Sequence, residues 1–136
     1  MFPNTAIDRA NIKGTWIPRY IHQRDKRSCG PVAIINYWKF MGLKADYSDL
    51  RFLKKILGTN KDGTTLTVMA AFLNRKWKKV DKIRCPAIVN DDTHFWFCPY
   101  SCTGGYITIN YGIGTYHFIS NRRMKSILKT SEVLLL

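Results

Sequence analysis

The chain has 136 residues, of which 46% are hydrophobic, and a formal net charge of +13 at pH 7. This length suits one core, so we expect residues 1–136 to form a single domain. No apolar run is long enough to span a bilayer, and the N-terminus lacks the apolar region of a signal peptide. Composition therefore excludes a transmembrane protein and favours a cytoplasmic one with no membrane partner.

The cysteine pattern predicts neither a metal site nor a cofactor site. Cys98 and Cys102 stand four positions apart, with no second Cys or His pair to complete a zinc site. In a cytoplasmic protein all four cysteines are expected to be reduced thiols. They are Cys29, Cys85, Cys98 and Cys102.

The first predicted helix is the most apolar segment of the chain. Residues 1–20 predict irregular structure, with a short extended segment at 15–23. The segment 31–41, PVAIINYWKFM, is polar at only two positions, which is typical of a central buried helix. Pro31 suits its first turn and Gly42 its C-terminal end.

Two more helices are predicted in the first half. One runs over about 48–57, with Ser48 as its N-cap and Gly58 at its end. The other runs over about 65–76. Their inward apolar positions are Leu50, Leu53, Ile56 and Leu57 on the former, and Leu66, Met69, Ala70 and Leu73 on the latter.

The second half of the chain changes to a strand pattern. Its short segments are rich in aromatic and β-branched residues and are separated by turn residues. The predicted strands are 86–90, 94–98, 105–111 and 115–119. Ser120 is then the N-cap of a last helix over 121–129. Helices followed by strands indicate an α+β fold.

Cys29 is the first candidate functional residue. It precedes Gly30 and Pro31, which places its sulfur at the N-terminus of the central helix. The free N–H groups and the helix dipole favour a thiolate there, as do nearby basic residues at 24, 26 and 27. We therefore expect a reactive thiol with a lowered pKa. The alternative is a small buried residue that only packs at a helix start.

A nucleophilic thiol needs a base, and the chain has three histidines. His22 and His117 belong to short segments with apolar neighbours and are expected to be structural. His94 opens a predicted strand just after the turn NDDT, where a polar ring can face a cleft. His94 is therefore the predicted base.

Asn110, on the next strand, is the residue predicted to orient His94. If the two strands form a hairpin centred on residue 102, His94 pairs with Asn110 and their Cβ atoms lie about 4.5–5.5 Å apart. The amide oxygen of Asn110 would then accept from the imidazole and fix its tautomer. We predict that Cys29, His94 and Asn110 converge in one cleft between the helical and strand halves.

Gln23 is the fourth candidate. It stands six positions before Cys29, in a polar loop. Its amide can donate to the oxygen of a carbonyl under attack, with the backbone N–H of Cys29 as the second donor. This pair of donors would form an oxyanion hole.

These motifs resemble a known family. Gln23, then five residues, then CGP at a helix start is similar to the bacteriocin-processing branch of the papain-like cysteine peptidases. That branch contains the double-glycine leader peptidases and their stand-alone relatives. PAIVNDDTHFWF resembles the strand–turn–strand that carries the family's histidine, and YITINYG the strand that carries its Asp or Asn. Together with the similar segment 49–74, the likeness covers roughly residues 15–127.

The resemblance implies a papain-like fold, in which N-terminal helices, with a buried central helix carrying the cysteine, precede a C-terminal antiparallel sheet. It implies that Cys29 is the nucleophile, that His94 is the general base and acid, that Asn110 orients the ring and that Gln23 stabilises the oxyanion. The implied activity is that of a stand-alone cysteine peptidase, which hydrolyses a peptide or isopeptide bond through an acyl-thioester. The same residues would also serve deamidation or acyl transfer.

The positive charge leaves a third interpretation open. It is densest at 75–84, RKWKKVDKIR, with six basic residues and one acid. Such a stretch attracts an acidic peptide or protein substrate, or nucleic acid, although no nucleic-acid-binding motif accompanies it. The chain could thus be a non-enzymatic basic module, and the stretch could equally be a solvated surface.

Overall fold

The computed structural model describes residues 9–12, 15–92 and 94–136, which form helices and two antiparallel sheets. The α-helices are α1 Cys29–Phe40, α2 Leu50–Ile56, α3 Leu66–Leu73 and α4 Asn121–Leu128. The strands are β1 Arg9–Ile12, β2 Thr15–Pro18, β3 Trp77–Lys78, β4 Ala87–Asp91, β5 His94–Cys102, β6 Gly105–Ile109, β7 Tyr116–Ser120 and β8 Ser131–Leu135. Thr93, in the predicted turn NDDT, lies outside the described residues.

The N-terminal segment is more regular than expected. β1 and β2 pair antiparallel. The prediction of irregular structure was wrong for β1, Arg9–Ile12, whereas β2 lies within the segment 15–23 that was predicted to be extended. Residues 1–8, 13 and 14 lie outside the described residues.

The central helix is buried, as predicted. Its apolar side chains lie within the core, and its two polar side chains are satisfied there. The Oδ1 of Asn36 accepts from the N–H of Ile21 at 2.9 Å. The ammonium of Lys39 donates to the carbonyl of Ala45 at 3.0 Å. α1 begins two residues earlier than predicted, so Cys29 lies in its first turn.

The predicted start of the second helix and the predicted end of the third were wrong. Asp46 accepts from the N–H of Ser48 and caps a short 3-10 helix, so Ser48 is not an N-cap. Gly58 follows the end of α2, as predicted, and Leu50, Leu53 and Leu57 pack in the core, but Ile56 is 50% exposed. α3 ends at Asn74, whose left-handed backbone (φ 54°) stops the helix before the predicted residue 76.

The large sheet has the strand order β3-β8-β4-β5-β6-β7, with antiparallel neighbours throughout. α1 packs on one face and α4 on the other. The predicted α+β fold with a C-terminal antiparallel sheet is confirmed, and Ser120 caps α4 as expected. β3 and β8 were not predicted, although β8 lies inside the sheet.

The register between β5 and β6 differs from the prediction. β5 continues to Cys102, which pairs with Gly105 across a two-residue turn, where a longer loop was expected. The register also shifts around Pro99, which has no N–H to donate to the ladder. The predicted strand pairing of His94 with Asn110 was therefore wrong.

Candidate active site

The loop before α1 is organised by one carboxylate. Asp25 accepts from the N–H of Arg27 at 2.9 Å and from that of Ser28 at 3.0 Å. Its carboxylate also lies 3.7 Å from the ammonium of Lys54 on α2. These contacts fold residues 26–28 into a 3-10 helix that continues directly into α1 and positions Cys29.

The Cys29 thiol is buried, with 4% of the residue exposed. Burial raises the pKa of Cys29 above its ordinary value. The N–H groups of Phe95, Gly30 and Cys29 itself favour the thiolate, whereas the Asp25 carboxylate opposes it. The expected lowering of the pKa was wrong because desolvation outweighs the N–H groups at this helix start. The thiol is therefore protonated at neutral pH.

Gly30 allows the first turn of α1 to approach the neighbouring elements closely. A Cβ at this position would lie 3.0 Å from Oγ1 of Thr64 and 3.1 Å from Sδ of Met69. Both distances are shorter than ordinary van der Waals contacts. Gly30 therefore has a packing role, because it lets the helix turn that carries Cys29 lie close to Thr64 and Met69.

His94 opens β5 and is held through one ring nitrogen. Its Nε2 lies 2.8 Å from the backbone carbonyl oxygen of Asn110. A carbonyl can only accept, so Nε2 carries the hydrogen and Nδ1 is the basic nitrogen. The N–H of the next residue, Phe95, faces the sulfur of Cys29, which places the thiol beside the start of β5. Among the described residues, the ring makes no hydrogen bond to the thiol.

Asn110 contacts His94 through its backbone carbonyl, whereas its side chain makes hydrogen bonds to the loop before α1. Its Oδ1 accepts from the N–H of Gln23 at 3.0 Å, and its Nδ2 donates to the carbonyl of Ile21 at 3.0 Å. The predicted amide–imidazole bond is absent because the register of β5 and β6 differs. A left-handed backbone (φ 62°) turns the carbonyl towards His94. Asn110 thus joins the histidine to the loop before α1.

The side chain of Gln23 is held within its own loop. Its Nε2 donates to the carbonyl of Asp25 at 2.7 Å, and because that carbonyl only accepts, the orientation of the amide is fixed. Its Oε1 is buried and has no hydrogen-bond partner in the described part of the chain. To donate a second hydrogen bond to a substrate oxygen, the amide would use its other N–H or leave Asp25.

An open cavity of about 380 Å³ lies over this arrangement. Gln23, His94 and Asn110 line it together, whereas the buried Cys29 does not. The structure thus brings three of the four predicted residues to one cavity, and the Cys29 sulfur faces the N–H of Phe95, the residue after His94.

Two further residues that were not predicted to belong to the site also line this cavity. His22, which was expected to be structural, is exposed, and its Nδ1 lies 3.2 Å from Oγ1 of Thr115. Ile113 is 99% exposed on a loop between two glycines. The pattern Gly-Ile-Gly just after a predicted strand could have indicated this exposed loop.

A second cavity of about 380 Å³ is lined by Phe95, together with Thr64, Asp62 and Asp92. Cys29 lines neither cavity, but its sulfur faces the N–H of Phe95.

Two solved structures share this fold. The peptidase domain of Streptococcus ComA, a bifunctional ABC transporter involved in a quorum-sensing pathway, matches with a TM-score of 0.62 and 20% identity over 85% of this chain and 96% of that domain. A double-glycine-motif protease from an AMS/PCAT transporter, in complex with the leader peptide, matches with a TM-score of 0.67 and 11% identity over 83% of this chain and 86% of that one. The chain has the same fold as these two peptidase domains.

At these identities, the likeness to double-glycine peptidase domains concerns the fold. No protein-family model and no curated protein matches the sequence. None of the described helices is both long and apolar enough to cross a bilayer. The described residues contain no group of three or more Cys, His, Asp or Glu side chains placed to hold a metal ion.

Proposed function

We propose that this chain is a papain-like cysteine peptidase in which Cys29 is the nucleophile and His94 the general base. The observation that carries the proposal is which ring nitrogen of His94 carries the hydrogen. The carbonyl of Asn110 holds the Nε2 hydrogen of His94, which leaves Nδ1 free to take a proton, and the N–H of the next residue, Phe95, faces the sulfur of Cys29. The shared fold of two peptidase domains supports it.

The proposed reaction begins from a neutral thiol. Because burial raises the pKa of Cys29, the thiol does not form a thiolate before substrate binds. As the sulfur attacks the substrate carbonyl carbon, its proton passes to Nδ1 of His94. The imidazolium then protonates the leaving amine, and the C–N bond breaks to give a thioester. Water, deprotonated by His94, hydrolyses the thioester and restores the thiol.

The oxyanion formed in both steps needs hydrogen-bond donors. The backbone N–H of Cys29 at the start of α1 is one, and the amide of Gln23 is the other. Since one hydrogen of that amide is donated to Asp25 in the free chain, the second N–H of Gln23 would donate to the oxyanion, or the amide would leave Asp25 when substrate binds. Asn110 would position two of the catalytic residues. Its backbone carbonyl holds the imidazole of His94, and its side chain accepts a hydrogen bond from the backbone N–H of Gln23.

The proposed substrate is a peptide that enters the cavity lined by Gln23, His94 and Asn110. A small residue on each side of the scissile carbonyl would let the chain approach a thiol that is only 4% exposed. The double-glycine-motif protease, which was solved with its leader peptide, makes a double-glycine peptide the first substrate to test.

The test uses a synthetic peptide with one Gly-Gly site, incubated with the parent protein and with Cys29→Ala. Mass spectrometry should show cleavage by the parent and none by the variant. A C-terminal Gly-Gly aldehyde should form a thiohemiacetal on Cys29 in the parent and in Gln23→Ala. If neither product nor adduct forms on Cys29, the proposal is wrong.

The masses of the products also show whether the thioester is used for hydrolysis, acyl transfer or deamidation. Hydrolysis gives two peptides, acyl transfer gives an amine adduct, and deamidation converts a glutamine of the substrate to glutamate. A purely non-enzymatic module is favoured by one observation, the burial of Cys29. It would show no adduct with the aldehyde.

A further inference from the structure

Two thiols are in contact on the face of the sheet opposite α1. The sulfur of Cys85, just before β4, lies 3.6 Å from the sulfur of Cys98 on β5. Both residues pack in the hydrophobic cluster between the sheet and α4, whereas Cys29 packs in the cluster around α1. The pair is therefore separate from the proposed nucleophile.

The remaining cysteine of β5 lies on the other face of the sheet. Cys102 follows Cys98 by four positions, and in a regular strand both side chains would share one face. The register shift around Pro99 interrupts this alternation. Cys102 accordingly packs against the cluster around α1, and Cys98 within the cluster around α4. Cys85 is therefore the thiol that is placed to react with Cys98.

The two thiols of the pair differ in their access to solvent. Cys85 is half-buried, whereas Cys98 is 0% exposed. Burial, and then the hydrogen bond with Cys85, raise the pKa of Cys98 well above its ordinary value. A reagent in solution therefore reaches Cys85 first, and Cys98 is the neighbour that can react with the modified Cys85.

We propose that Cys85 and Cys98 form a disulfide bond when the protein meets a small-molecule disulfide of the glutathione class. Bonded sulfurs lie about 2.0 Å apart, so the two sulfurs have to approach each other by about 1.6 Å. Cys85 lies outside the strands, in the segment before β4, where a side chain can make this movement. The bond would tie this segment to β5, the strand that begins at His94.

The proposed oxidation takes place in two exchange steps. Cys85 loses its proton to water, and its sulfur attacks one sulfur of the reagent. The reagent's S–S bond breaks, one small thiol leaves, and Cys85 carries a mixed disulfide. The sulfur of Cys98 then attacks the sulfur of Cys85, and the second small thiol leaves with the proton of Cys98. The two protein thiols thus lose two electrons, and one reagent disulfide is reduced to two thiols.

The experiment treats the folded full-length chain with oxidised glutathione at about pH 8, where exposed thiols begin to ionise. Free thiols are then blocked, and the protein is digested with endoproteinase Asp-N and chymotrypsin. Cleavage at Asp91 and after Tyr100 places Cys85, Cys98 and Cys102 on three different peptides. Mass spectrometry without reduction identifies the linked pair. The variants are Cys85→Ser, Cys98→Ala and, as the matched control on the same strand, Cys102→Ser.

The parent should yield the peptide of Cys85 linked to that of Cys98, and excess reduced glutathione should release the two peptides. Cys98→Ala should accumulate the glutathione adduct of Cys85 at a level about tenfold or more above the parent, because no second thiol displaces the glutathione. Cys102→Ser and Cys29→Ala should form the bond at a rate within about twofold of the parent, so the outcome does not depend on catalysis by Cys29. Cys85→Ser should form no such link.

Three results would overturn the proposal. One is a link between Cys98 and Cys102 in the folded parent. Another is a stable glutathione adduct on Cys85 of the parent, at the level found in Cys98→Ala. The third is recovery of both Cys85 and Cys98 as free thiols.

Discussion

Replacement of Asn110 tests whether this residue works through its backbone or its side chain. Asn110→Ala removes two side-chain hydrogen bonds, each contributing about 1 kcal/mol to the free energy of unfolding. It also places alanine at φ 62°, which costs about 1 kcal/mol. We therefore expect a total loss of about 3 kcal/mol, measured by urea denaturation. Asn110→Gly avoids the backbone cost and should lose about 2 kcal/mol.

Asn74 is the matched control, because it is also a left-handed asparagine (φ 54°) but makes no side-chain hydrogen bond within the described chain. Asn74→Ala should lose only about 1 kcal/mol. In the activity assay, Asn110→Gly should lower kcat through the loosened Gln23 loop. The pH dependence of kcat for Asn110→Gly should match that of the parent, because the backbone carbonyl that holds His94 remains. A changed pH profile in Asn110→Gly, or equal losses for the alanine variants of Asn110 and Asn74, would refute the reasoning.

Three further predictions concern the same site. Gln23→Ala should lower kcat by about 10²-fold with little change in KM, as expected for an oxyanion donor; unchanged turnover would assign Gln23 to the loop alone. Because burial raises the pKa of Cys29, its alkylation by iodoacetamide should keep accelerating as the pH rises past about 8.5, the ordinary value for a thiol. Residue-resolved mass spectrometry checks this, and a rate already maximal near neutral pH would contradict it. Gly30→Ala should lower the free energy of unfolding by about 1–3 kcal/mol through overpacking. Gly112→Ala, whose new Cβ would lie 3.5 Å from the ring of His117, should be nearly neutral, and similar losses in both would remove the packing argument.

Features that depend on neighbouring residues were predictable from the sequence. The apolar run before Gly42 predicts a central helix, since a helix without a polar face has to be buried on all sides. Ser120 predicts the start of α4, because an N-cap acts on backbone groups within one turn. The order of Gln23, Cys29, His94 and Asn110 along the chain predicted one site, and three of these residues, Gln23, His94 and Asn110, line one cavity.

Features that depend on distant segments were decided only by the tertiary structure. β8 enters the sheet between β3 and β4 because strand pairing depends on partners far away in the chain. The bulge around Pro99 changed the register, and so the carbonyl of Asn110, rather than its amide, holds His94. The pKa of Cys29 also depends on segments that are distant in the sequence. The sequence places the thiol at the N-terminus of a helix, which favours a thiolate, but the segments packed over that N-terminus exclude water and favour the neutral thiol.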